Sequence, residues 1–245
     1  MKPAAWQNSD HIFDINGWRV WYLPVINPPG TEVAEFSHSQ VELRLKSDPI
    51  KLPHEFEATS IDTKSKNYPS CRLQSYDLTE EGRLVLTLSK TSYHDYLKSG
   101  EHLADLLPNE RTKTFRDHFG QLVVGGRGNI RPSQLSNICG VGVFIISSDG
   151  NVLVTKHSEN SHVYPGRFTY SASGTVRWGT YPHPFSQAMF KCFEEIKHQV
   201  SFSNLRLVGF GADARKLFFQ FSFYEKAEHS IQDIFEHYET LPANR

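Results

Sequence analysis

Cysteine is scarce in this chain and badly placed for cross-linking. Cys71, Cys139 and Cys192 are odd in number, widely separated and form no CxxC pair. That pattern argues against a disulfide framework and a cysteine-based zinc centre, and it leaves buried thiols in a reducing compartment as the expectation. Long apolar runs are missing too. No stretch approaches the eighteen or so apolar residues of a membrane span, and the opening MKPAAWQNSDHIF lacks the apolar core of a signal peptide. No membrane partner is expected, and the expected location is cytoplasmic. An excess of one charge is likewise absent. Lysine and arginine number 26 against 27 acidic residues, a formal net charge of -1, so no global field draws the chain to nucleic acid. Any recognition of phosphate has to be local. No internal repeat or low-complexity tract is visible.

What is present suffices for a folded protein: 245 residues, 38% of them hydrophobic, bury a core of ordinary size. GWRVWYL and VELRLK alternate bulky and polar residues and read as half-buried strands with PVINPPG as a turn between them. CRLQSYDL and RLVLTLS, joined by EEG, read as an antiparallel hairpin. In KTSYHDYLKSGEHLADLLP, Ser92 and Asp95 have capping-box spacing, and Tyr93, Tyr96, Leu97, Leu103, Leu106 and Leu107 suit one helical face, with Lys98-Ser99-Gly100 as a point of interruption.

These elements make residues 1–119 a small β-rich N-terminal unit with a helix. Residues 120–136, rich in glycine, read as a linker; Arg127 and Arg131 flank those glycines, but the lysine and hydroxyl residue of a Walker loop are missing. Residues 137–245 form a second unit. GVGVFIISSDGNVLVTKHS is a hairpin around Ser148-Asp149-Gly150, RFTYSASGTV a strand, and LRLVGFG and KLFFQFSFYEKA a strand pair turning at Ala212-Asp213. Ser230 is placed to cap a last helix, IQDIFEHYE.

Within SASGTVRWGTYPHPFSQAMFKCFEEIKHQV, helical spacing puts Ala188, Cys192 and Ile196, with Met189, Phe193 and Val200 less cleanly, on an apolar side. Gln187, Lys191, Glu194, Glu195 and His198 fall on the other. Two adjacent glutamates can supply oxygen ligands to Mg²⁺, which takes one or two carboxylates plus water and substrate phosphates. They can equally form ordinary helix ion pairs with Lys191, three and four residues earlier, at ~0.2–0.5 kcal/mol each.

The order of parts, with a strand pair, a strand ending in SASG, a loop and a helix carrying Glu-Glu, resembles the Nudix hydrolase family over about Asn137 to Glu228. The family signature is G-x5-E-x7-R-E-U-x-E-E-x-G-U, with U aliphatic. Gly174 stands at the opening glycine, Ala188, Cys192 and Ile196 on the buried side of the helix, and Glu194 and Glu195 at the paired glutamates. Phe190 stands at the arginine, Lys191 at a further glutamate, Thr180 or Pro182 at the first glutamate, and Lys197 and His198 at the closing pair.

The resemblance implies an α+β fold with a mixed β-sheet sandwiched by helices, and Mg²⁺-dependent cleavage of a nucleoside diphosphate linked to another group. Glu194 and Glu195 would then be catalytic metal ligands. By position in the chain, Arg167 and Arg177 flank the SASG loop that holds Gly174 and can contact a diphosphate or stand as exposed strand and loop residues, Trp178 or Tyr181 can stack on a base, and Asp213 can add a carboxylate or belong to an ordinary turn. YPSCRLQSYDL followed by RLVLTLSKTSYHDYL is similar to the region preceding the domain in the UDP-glucose and UDP-galactose pyrophosphatase branch, which implies a nucleotide-sugar ligand. With Lys191 as a built-in cation, the same fold becomes a catalytically impaired protein that binds a nucleotide or a protein partner. Such a domain normally continues through another strand and a long helix. The alternatives are an abbreviated end, a homodimer or other partner that completes the packing, or a fragment.

Overall fold

The structure, a computed structural model, describes residues 12–15, 18–26, 34–61, 66–119, 124–125, 129–130, 134–159, 164–179, 182–213 and 216–239. The protein is α+β. The first half contains β1 (Ile12–Ile15), β2 (Trp18–Ile26), β3 (Val41–Lys46), β4 (Pro69–Leu78), β5 (Leu84–Ser92), α1 (Tyr93–Gly100) and α2 (Phe115–Phe119). Two short strands, β6 (Val124–Gly125) and β7 (Asn129–Ile130), follow. The second half contains β8 (Cys139–Ile146), β9 (Val152–Leu153), β10 (Thr155–Lys156), β11 (Phe168–Thr169), β12 (Ala172–Thr175), α3 (Pro184–Ile196), β13 (Leu205–Asp213), β14 (Phe218–Lys226) and α4 (Ile231–Glu239).

A mixed sheet in the order β1-β2-β13-β14-β8-β12 dominates, with β9 on the end of β8. All its pairings are antiparallel except β14 with β8. Alternation explains its two faces. Val141, Val143, Ile145, Phe219, Phe221 and Phe223 all point to one side and are fully buried there, where α3 adds Phe185, Ala188 and Cys192. Gly140, Gly142, Gln220 and Ser222 point to the other. Tyr170 lies across Gly142, and its hydroxyl meets that of Ser222 at 2.9 Å.

The β4–β5 hairpin forms as its alternation predicts, and β3 joins β5 in parallel to make a three-stranded sheet. This sheet is tied to the edge of the large one: the Cys71 amide donates to the Val176 carbonyl at 2.8 Å, and the Leu73 amide to that of Asn137 at 3.2 Å. Phe36, Leu73, Leu84 and Phe115 therefore share a core with Val141, Ala188 and Phe221. β1 and β2 do not stay with β3. They extend the large sheet through β13, across the segment read from sequence as a linker.

Several expectations change at this level. The helix at Tyr93 begins on the Ser92–Asp95 capping box and ends at Gly100, within the interruption read at Lys98-Ser99-Gly100. A Cβ at Gly100 would collide with the Tyr96 ring and the Lys216 carbonyl, so glycine alone fits there; beyond it, Leu106 ends half exposed beside Thr114 instead of on a helical face. β3 buries only Val41 fully. RFTYSASGTV divides into β11, paired with β10, and β12, paired with β8. Ala212 and Asp213 complete β13, and the turn opens at Asp213, whose carbonyl accepts the Lys216 and Leu217 amides at 3.3 and 2.8 Å. The SSDG hairpin and the Ser230 cap of α4 form as read: the Ser230 hydroxyl accepts the Asp233 amide at 3.2 Å.

Candidate functional site

Helix α3 lies against the edge strand β12, and its last two turns carry the charges. The helix starts where Pro184 fixes the first helical φ, and it ends at Lys197, whose φ of 55° closes a left-handed cap. Ala188, Cys192 and Ile196 are buried, as the periodicity requires. Two positions depart from it. Phe193 is 49% exposed, and Lys191, assigned by spacing to the polar side, is only 9% exposed.

Gly174 explains the buried lysine. It faces α3 from β12, and the aliphatic stem of Lys191 runs directly over it, so that a Cβ at position 174 would overlap the lysine. The ammonium emerges from this slot at the two glutamates. Its Nζ lies 2.5 Å from Glu194 Oε2 and 4.0 Å from Glu195 Oε1. The other oxygen of Glu195 accepts the Ser173 backbone amide at 3.0 Å. One cation and one strand amide thus engage both carboxylates, whose side chains remain about a third exposed, at 35% and 38%.

A divalent ion at the pair would have to displace an ammonium whose stem is packed in place. Among the described residues no group of three metal-ligating side chains occurs. Asp213, the carboxylate considered for the opposite side, accepts the Tyr164 hydroxyl instead.

Arg177 follows β12 and is exposed, its guanidinium 5.7 Å from the centroids of both the Tyr68 and Phe190 rings. Its amide donates to Gln187 Oε1 of α3 at 3.3 Å, which brings Arg177 beside the helix. Tyr68 in turn stacks on Tyr93 at 5.2 Å and 13°, and its hydroxyl accepts from that of Thr175. Sequence reasoning missed this aromatic neighbourhood, because Tyr68 and Tyr93 reach β12 only through the β4 contact. Trp178 is half buried against the core. Arg167 sits exposed at the start of the β10–β11 ribbon, with its carbonyl accepting the His157 amide at 2.9 Å. Thr180, Tyr181, His162, Arg127 and Arg131 lie outside the described residues.

His183 and His198 stand at opposite ends of α3 and do not meet. His183 caps the start of α3, while His198, past its end, pairs with Glu225 at 2.6 Å, with side chains 13% and 4% exposed. The three cysteines are free and buried. Burial pushes the Cys71 thiol up to about 12 and raises those of Cys139 and Cys192 as well, so none is a ready nucleophile.

No protein-family model and no curated protein matches the chain. Among solved structures, DR0079 from Deinococcus radiodurans is similar at 18% identity over 38% of this chain and 57% of that one, with a TM-score of 0.30. The chain thus spans little more than half of that protein's length. The described helices include none long and apolar enough to cross a membrane. Fold and site together define an α+β protein with a mixed sheet and a lysine–glutamate cluster at its edge helix.

Proposed function

We propose that this chain is a Nudix-like binding protein of the cytoplasm that holds a nucleotide or nucleotide sugar without a divalent metal and without cleaving it. The observation that carries this reading is the position of Lys191, buried over Gly174 with its ammonium on Glu194 and near Glu195. The sequence resemblance makes those glutamates the metal ligands of a hydrolase. A fixed ammonium at the same place neutralises part of their charge but cannot generate a metal hydroxide, the attacking nucleophile that a metal supplies to such hydrolysis. The nucleotide-sugar class comes from the N-terminal resemblance. Arg177, beside the rings of Tyr68 and Phe190, is the side chain assigned to the phosphates.

The test is calorimetric titration of UDP-glucose and UDP-galactose into the protein with EDTA present, followed by a product assay with Mg²⁺ or Mn²⁺ supplied. Binding that survives chelator, weakens in Arg177→Met and yields no product with either metal is the expected outcome. Metal-dependent turnover abolished by Glu194→Gln/Glu195→Gln would establish the hydrolase reading instead. No binding of either compound would remove the nucleotide-sugar assignment.

A further inference from the structure

The start of α3 is built on an unusual cap. Histidine is not among the residues favoured at an N-cap, yet His183 fills that position: its Nδ1 accepts the Phe185 amide at 3.3 Å, and its carbonyl accepts the Gln187 amide at 3.0 Å. Since Nδ1 is an acceptor, the ring proton is on Nε2, which faces the Val41 carbonyl at 3.4 Å. The imidazole thereby joins the site helix to the first residue of β3. A second imidazole packs on it: the His38 ring lies 4.6 Å away at 37°, and it also touches Phe185 at 5.5 Å and Phe202 at 4.4 Å.

Only the neutral form of His183 can make these contacts. A proton on Nδ1 would face the Phe185 amide donor instead of accepting from it. The new positive charge would sit at the positive end of the α3 dipole, and beside His38. The groups around it are His38 from the turn before β3, Phe185 from α3 and the Val41 carbonyl from β3. Burial, then His38, lowers the His183 pKa to about 4, against a smaller opposing effect of the Val41 carbonyl, and no carboxylate contributes.

We propose that the His38–His183 pair is an acid-sensitive latch on the candidate-site helix: protonation of His183 removes the α3 cap and frees the first turn. Gln187 lies in that turn and holds the Arg177 amide, so opening loosens the segment that carries Arg177. The latch does not depend on what the site binds.

Amide hydrogen exchange read by NMR, corrected for intrinsic rates, tests this between pH 7 and pH 4. Protection of the Phe185 and Gln187 amides should fall by up to about tenfold per pH unit from the ordinary histidine value of 6.5 down to about 4, where the capped form itself takes up the proton, while amides at the centre of β14 keep theirs. His183→Asn retains a cap acceptor that does not titrate, and its first-turn protection should be flat with pH. His38→Phe keeps a ring on His183 but removes the imidazole that lowers its pKa, so the opening should move to higher pH; a shift to lower pH would contradict the proposed repulsion. Two results would overturn the latch: first-turn protection independent of pH in the wild type, or the same pH dependence in His183→Asn. Because the wild-type profile alone decides the first, a variant that fails to fold leaves the test intact.

Discussion

Two polar contacts lie at and just past the C-terminal end of α3, and they are opposites in construction. His198 and Glu225 form a closed pair, one partner each, at 13% and 4% exposure. Lys191 faces two carboxylates that both reach water. A closed pair deep in the protein has nothing to offer a ligand, and removing one member strands the other. An open cluster with one more carboxylate than cation keeps a residual negative charge at the surface. The difference separates a residue that holds the chain end of α3 on β14 from residues that can still meet something outside.

Substitutions sharpen that contrast. His198→Ala leaves Glu225 buried without its partner and is expected to lower stability by about 3–5 kcal/mol, read as the urea midpoint. Gly174→Ala puts a methyl group into the Lys191 stem and is expected to cost about 1–3 kcal/mol; the loss should largely vanish in Gly174→Ala/Lys191→Ala, where the stem is gone. A purely backbone role for Gly174 would leave the double variant as unstable as the single one. Lys191→Met, which keeps the packing and removes the charge, is expected to cost only about 1–2 kcal/mol because both glutamates can rehydrate. If it instead matched His198→Ala, the open cluster would be a strut after all.

Much of this arrangement was legible beforehand. The β4–β5 hairpin, the Ser92 and Ser230 caps, the SSDG turn and the α3 stripe of Ala188, Cys192 and Ile196 all follow from local patterns that tertiary contacts reinforce. The failures share one cause, which is that a partner distant in sequence decides the outcome. Lys191 is polar by periodicity but buried because Gly174, seventeen positions earlier, opens a slot for it. Phe193 is apolar but lies outside the contact with β12 and β8. Leu106 leaves the helical face because it bridges to Thr114 beyond the end of α1. Tyr68 and Tyr93 join Arg177 only through the β4 contact with residues 176–178. The histidine cap was readable as a residue next to a proline, but its partner His38 was not.

The central claim is that Lys191 occupies the place a divalent ion would take. Its most direct test is a titration of Mn²⁺ into the wild-type protein followed by electron paramagnetic resonance, with Glu194→Gln/Glu195→Gln and Lys191→Glu in parallel. The account predicts that wild type and the double glutamine variant both leave Mn²⁺ free in solution, while Lys191→Glu, with three carboxylates and no ammonium, retains it. Stoichiometric binding by the wild type that disappears in Glu194→Gln/Glu195→Gln would contradict it and return the glutamates to a metal.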